Sequence, residues 1–270
     1  MKVLCGILAV LCILFIVFIR FKGKRQSNIE EVKPEDGFAD FHTHILPGVD
    51  HGASDFETAL KMLEQEAEDG IGRVLLTPHY FPHRTDKAFT HQQFNELKRL
   101  KEERKLNIEL YLGNELCYGE DALEDLMEDK VCTLNDTPYV LTEFHRGDPF
   151  SYIRDGLNQI LMAGYRPILA HVERYEALSD QKKVGELVSM GVLIQTNAGS
   201  LLKKEQKKHV LGLAKNDMIH LLGSDCHDLT KRIPGTRQAR ILLQKELTKE
   251  QYERIMITNP KKVLQGEYIH

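Results

Sequence analysis

The chain has 270 residues, of which 42% are hydrophobic and 28% charged, with a formal net charge of −4. These proportions exclude wholesale disorder, and the length suits one domain of barrel size plus a short extra element. Residues 1–25 hold five basic residues and no acid, so the remainder bears −9, which excludes a protein that tracks a nucleic-acid backbone with a basic face.

Residues 3–19 form an unbroken apolar run of 17, at the short end of what spans a bilayer. A cleaved signal peptide is the competing reading. However, the run meets Arg20-Phe-Lys-Gly-Lys-Arg25 rather than a small-residue cleavage site. Basic residues on the C-terminal flank place the rest of the chain in the cytoplasm. The expectation is therefore a single-pass anchor in the inner membrane over residues 1–25, a polar linker at 26–36 and the main domain at 37–270. Cys5 and Cys12 lie in the apolar run, while Cys117, Cys132 and Cys226 show no paired spacing. A disulfide framework is not expected, and the main domain reads as facing a reducing compartment.

From residue 37, short apolar runs alternate with amphipathic stretches of helical length. Strands are predicted at about 38–41, 73–77, 109–113, 139–142, 167–170, 192–195 and 219–223. Ser54 and Glu57 have capping-box spacing and open a predicted helix that closes on Gly70. A second clear helix, over 151–164, also closes on glycine, and the chain after 235 reads as helical. Seven strands alternating with helices imply an α/β fold with a parallel sheet, doubly wound or closed as a barrel.

The positions of the histidines and acids carry the chemistry. Asp40-Phe-His42-Thr-His44 ends the first strand, and His79, Glu115 and Glu143 end the next three. His171 comes after the fifth, and Asp225-Cys-His227 after the seventh. Six of seven strands thus deliver a ligand-type side chain at their C-terminal ends, where (β/α) barrels build their sites. The His-x-His pair projects two imidazoles to one side of a strand. A lone histidine after a strand is usually structural. An ensemble of imidazoles and carboxylates without clustered cysteine suits two or three first-row divalent ions, which can activate water for in-line displacement.

The order HTH, TPH, GNE, AHVER and SDCH, together with GLNQILMAGYRPILAHVERYEAL (156–178), TLNDTPYVLTEF (133–144) and SDCHDLTKRIP (224–234), resembles the PHP superfamily. More narrowly, it resembles the manganese-type bacterial protein-tyrosine phosphatases of capsule and exopolysaccharide loci. The resemblance implies a distorted (β/α)7 barrel in which His42, His44, Glu115 and Asp225 hold one ion, with Glu115 bridging to the next. It implies His171 at a second ion, and His79 and His227 around the second and third with Glu143 nearby. Arg174 and Arg232 match phosphate-gripping positions. Where the family shows an acidic pair before a glycine, this chain reads Asp50-His51-Gly52, so the ligand there is Asp50 or His51. The ions would be Mn2+, with Mg2+, Co2+, Fe or Zn2+ as alternatives. Attack by an ion-activated hydroxide is implied, with Asp225, His171 or water protonating the leaving oxygen. The implied partner is a phosphotyrosine protein, a membrane-associated tyrosine kinase of polysaccharide export. A PHP-type phosphatase of a small phosphate ester and a non-catalytic phosphotyrosine-binding adaptor are the alternatives.

Cys226 to Arg232 also spells Cys-x5-Arg, the spacing of thiol-dependent phosphatases. That chemistry needs backbone N–H groups wrapped around the phosphate and an activated thiolate. The intervening HDLTK has no glycine, and the match reads as coincidence. Glu173 reads as a structural partner, Arg146 as a loop arginine, and Lys203, Lys204, Lys207 and Lys208 as a solvated helix face.

Overall fold

The computed structural model describes residues 37–269; the expected anchor and linker lie outside the described residues. No helix among the described residues is long and apolar enough to cross a membrane. The strands are β1 (Phe38–Thr43), β2 (Ile71–Leu76), β3 (His79–Tyr80), β4 (Glu109–Leu112), β5 (Glu115–Cys117), β6 (Tyr139–Glu143), β7 (Arg166–Leu169), β8 (Leu193–Asn197) and β9 (Leu221–Gly223). Every pairing is parallel. The order is β1-β2-β4 in one sheet and β3-β5-β6-β7-β8-β9 in the other.

Two predicted strands, 73–77 and 109–113, end close to where expected, but after each break a short strand follows that the sequence did not announce. Between β2 and β3 stand Thr77 and Pro78; between β4 and β5 stand Gly113 and Asn114. Pro78 has no N–H to give a ladder, but its carbonyl accepts from Glu115 N (3.1 Å) and Asn114 Nδ2 (3.0 Å). A Cβ at Gly113 would lie 2.4 Å from Leu134 Cδ2 and 3.3 Å from its Cα, so any larger residue there would displace the buried Leu134 side chain. Both breaks re-aim the short strands beyond them, which pair His79 directly with Glu115.

Beyond β9 the chain returns to β1. Asp225 N donates to His42 O (2.7 Å), and His44 N donates to Cys226 O (2.8 Å). The parallel sheet is therefore curled, with its last segment laid against its first strand. Strands buried on both faces need near-continuous apolar runs, and all six residues of β2 are buried. Phe41, Tyr139, Leu141, Ile168 and Leu193 form one core cluster with Val263 and Leu264. Tyr139, Leu141 and Glu143 alternate along β6 and so share a face; that face is apolar at its start and carries the acid at its end.

The helices are α1 (Phe56–Glu68), α2 (Lys87–Glu103), α3 (Glu120–Met127), α4 (Phe150–Met162), α5 (Gln181–Ser189), α6 (Lys204–Lys215), α7 (Arg237–Glu246), α8 (Lys249–Glu253) and α9 (Asn259–Leu264). The start of α1 corrects the sequence expectation. Asp55, not Ser54, is its N-cap and accepts from Thr58 N at 2.7 Å, while Ser54 Oγ hydrogen-bonds the Asp55 carboxylate. An ionised acceptor suits the positive end of a helix better than a hydroxyl does. Gly70 and Gly164 end α1 and α4 as predicted, with φ of 82° and 90°.

Gly156, within α4, sets two effects against each other. Alanine there would gain about 1 kcal/mol in helix propensity, but its Cβ would lie 2.6 Å from Tyr118 and 2.9 Å from Phe144. Overpacking of a buried contact costs about 1–3 kcal/mol. Gly156→Ala is expected to lower the denaturant midpoint, and a raised midpoint would show that the two rings yield.

Candidate metal centre

His42, His44, His79, Glu115, Glu143, His171, Asp225 and His227 converge at the C-terminal ends of the strands. Three groups have ligand atoms within 4.8 Å of one another: His42, His44 and Asp225; His79, Glu115 and Glu143; and His44, His79 and His227. Glu115 lies at the middle. One oxygen is 3.1 Å from His42 Nε2, 3.3 Å from His44 Nε2 and 3.1 Å from His79 Nδ1, and the other is 2.8 Å from His171 Nε2. Glu143 stands 3.1 Å from His79 Nδ1 and 3.4 Å from His171 Nε2.

The outer bonds of the imidazoles fix which nitrogens face inward. Gln195 Oε1 lies 3.3 Å from His42 Nδ1 and accepts from His171 N at 2.7 Å. The Gln195 amide nitrogen is occupied by Thr196 O and Asn197 Oδ1, so its oxygen is the atom turned to His42. Asp50 Oδ2 takes His44 Nδ1–H at 2.6 Å. The Nε2 atoms of His42 and His44 are thus left facing each other 3.1 Å apart. A positive centre, proton or cation, must sit between them.

The carboxylates supply the pull. Burial opposes it, but hydrogen bonds to Asp225, Asp50 and Glu115 lift His44 well above the ordinary histidine value. Against the same opposition, Glu115 and Glu143 raise His171 to about 9. Burial, then the charges of His44 and Arg232, push His227 down to about 3. The residues fit divalent ions: buried, of mixed imidazole and carboxylate type, and held in orientation from behind.

Asp50 departs from its expected place among the ligands. Besides His44, its carboxylate accepts from His79 N (2.9 Å) and Gly52 N (2.8 Å), so it braces two histidines from behind. The neighbouring His51 ring instead lies 4.9 Å from that of His79 and 4.7 Å from that of His227. Asp225 also departs from one expected part. Its oxygens accept from Arg174 Nη2, Asn197 Nδ2 (2.8 Å) and Arg232 Nη2 (2.5 Å). Despite burial, the charge of His42 and a hydrogen bond to His44 hold it well below the usual carboxylate range. An ionised acceptor suits a ligand and not a proton donor.

Arg174 and Arg232 approach Asp225 on opposite oxygens, where they line the groove that opens above the cluster. Cys226 is fully buried, and burial, then the charges of Glu66 and Asp40, raise its thiol well above the ordinary value. That is the opposite of an activated nucleophile. Glu173 accepts from Thr196 Oγ1 at 2.8 Å, in keeping with a structural role. Arg146 also lines the groove. Asp40, midway along β1, is in none of these groups, and its Oδ1 accepts from Ser224 N at 2.9 Å and His42 N at 3.2 Å.

Sequence reasoning missed Gln195 and Asn197. The available signal was a pair of amides closing an otherwise apolar run, VLIQTN. It also missed Gly223, where a Cβ would lie 2.5 Å from that of His42 and 2.9 Å from Gln195 Nε2. His171 and Asp225 take positive φ, 36° and 58°, a backbone cost that clusters at functional sites.

Fold and site together define the class, a curled parallel α/β sheet with a cluster of imidazoles and carboxylates able to hold cations at the C-terminal ends of its strands. Residues 38–265 match the family model described as capsular polysaccharide synthesis, CpsB/CapC, and the chain belongs to that family. It is 31% identical over 241 residues to the tyrosine-protein phosphatase CpsB of Streptococcus agalactiae serotype V, covering 85% of this chain and 99% of that protein. It is 30% identical over 222 residues to the tyrosine-protein phosphatase YwqE of Bacillus subtilis, covering 78% and 85%. Among the crystal structures of YwqE from Bacillus subtilis and CpsB from Streptococcus pneumoniae, described as unique metal-dependent tyrosine phosphatases, one superposes with a TM-score of 0.80. It is 27% identical and covers 86% of this chain and 96% of that one. A phosphotriesterase homology protein from Escherichia coli, 10% identical with a TM-score of 0.55, is alike in fold alone.

The geometry predicts two outcomes. Gln195→Leu strands the His42 Nδ1–H and the His171 N–H and is expected to weaken ion binding about 10–100-fold, measured by competition with a fluorescent chelator; unchanged affinity would remove Gln195 from this role. His171, raised to about 9, and His44, raised well above the ordinary histidine value, must surrender protons to become ligands. Ion binding at pH 7 should therefore release protons, and affinity should rise as pH climbs toward 9. Calorimetry in buffers of different ionisation enthalpy measures this, and a proton count of zero would mean that these imidazoles do not ligate.

Proposed function

We propose that the chain is a metal-dependent protein-tyrosine phosphatase built on a distorted (β/α)7 barrel of the PHP type, acting on a tyrosine kinase of capsular polysaccharide synthesis. The observation that carries this reading is the convergence of eight ligand-type side chains beneath two guanidinium groups. Its relatives' names supply the substrate class.

His42, His44, Glu115 and Asp225 would hold one ion. Glu115 would be shared with a second, which His171, Glu143 and His79 serve, and His227 beside His79 would serve a third. Mn2+ is the ion we favour. Bound there, such ions would supply water of lowered pKa and offset charge on the phosphoryl oxygens. Arg174 and Arg232, held at their shared carboxylate, present planar donors that match two phosphate oxygens and set the phosphorus in line. A phenolate, whose parent acid has a pKa near 10, leaves with little need of a proton from the protein.

The apolar run at residues 3–19 would anchor the chain in the inner membrane, with residues 37–270 on the cytoplasmic side. Such tethering raises the local concentration of a membrane-associated kinase tail. The full-length chain in detergent, assayed on a phosphotyrosine peptide, is expected to lose turnover in EDTA and to regain it with manganese. Cys226→Ser should keep that turnover, and His42→Ala/His44→Ala should abolish it without unfolding the domain. Turnover indifferent to EDTA and lost in Cys226→Ser would replace this mechanism with a thiol one.

A further inference from the structure

The groove above Arg174 and Arg232 has a volume of about 850 Å³, more room than one phosphorylated tyrosine side chain fills. Arg146, Lys203, Lys231 and Arg237 also line it, with their side chains exposed outside the pair held by Asp225. Its acids are already engaged. Glu173 is bonded to Thr196, Asp225 holds the two inner arginines, and Asp69 Oδ2 accepts from the Arg237 backbone N–H at 3.4 Å. Among the described residues, none of the four outer cations is paired with a carboxylate, although Arg99, Arg104, Arg154 and Arg254 elsewhere on the surface each are. Four cations without a carboxylate partner thus line one groove in a chain whose net charge is negative. Exposed Leu202 (50%) and Ile233 (46%) line the same groove and give an extended chain something apolar to lie on.

We infer that this groove binds the peptide around the phosphotyrosine and selects segments with carboxylate side chains, through Arg146, Lys203, Lys231 and Arg237. The inference rests on the phosphatase reading. A bare phosphate ester would end at the two inner arginines and leave the outer cations untouched. An acidic segment would meet them in turn. Solvated cations on a surface are commonplace singly; their concentration in the groove that Arg174 and Arg232 also line is what points to a ligand. Exposed ion pairs are weak one by one, so the four together amount to roughly a tenfold preference at low salt, screened away at high salt.

The test uses the full-length chain with manganese and four substrates: p-nitrophenyl phosphate, and phosphotyrosine peptides flanked by glutamates, alanines or lysines. At low salt, kcat/KM should fall in the order glutamate, alanine, lysine, with about tenfold between the first two, and the order should flatten in high salt. In the Arg146→Ala/Lys203→Ala/Lys231→Ala/Arg237→Ala variant, the peptide preference should vanish while p-nitrophenyl phosphate turnover stays the same, which also reports an intact fold. Equal rates on all three peptides, or a preference that survives the fourfold substitution, would overturn the inference and leave the phosphatase reading standing. Turnover of p-nitrophenyl phosphate with none of any peptide would overturn both.

Discussion

Two imidazole nitrogens facing each other at 3.1 Å, with a buried carboxylate against both, is an arrangement no fold keeps without positive charge at its centre. Much of the surrounding architecture serves to hold it. Gln195 and Asp50 fix the ring orientations, and the glycine at 223 clears space behind His42. The breaks at Thr77-Pro78 and Gly113-Asn114 turn His79 and Glu115 toward it. His171 and Asp225 hold backbone conformations that non-glycine residues avoid. Such strain persists only where neighbours over-determine it, and here each residue is held by several bonds, Asp225 by three donors at its carboxylate alone.

The strand positions and most inward-facing ligands were legible because both depend on local rules. Apolar runs of four to six residues mark strands buried on both faces, and polar residues at their ends stand out against them. The helix closures at Gly70 and Gly164 were legible for the same reason, since the left-handed position after a helix favours glycine. What was not legible depends on distant contacts. Nothing local distinguishes Asp50 from His51 as a ligand, because the choice is set by His44 and the His79 backbone. The cap of α1 shifted by one residue because Ser54 and Asp55 are both competent caps and only the native path decides between them. Gln195 declares itself only once β1 and β8 stand close enough for one amide to reach His42 and the His171 backbone together.

The two halves of the groove obey different electrostatics. Arg174 and Arg232 are each fixed on a buried Asp225 oxygen, Arg174 the more buried of the two, and there geometry dominates. The outer cations stand in solvent, where charge acts weakly and at longer reach. The inner pair is suited to orienting a phosphoryl group, and the outer set to biasing which segment arrives.

The seam between the end of β9 and β1 has a meaning for the life of the protein in the cell. Ser224 and Asp40, 184 residues apart in the chain, meet there, and ligand-type residues stand on both sides: His42 and His44 on the first strand, Asp225 and His227 past the last. On the proposed reading, an ion gripped from both sides would act as a clasp that binds the folded state alone, and its binding free energy would add to the stability of the closed sheet. Scarcity of that ion would then thin the population of the protein as well as idle it, because a seam that opens more often is sampled more often by proteases. Ion supply and protein abundance would rise and fall together, with no dedicated sensor between them.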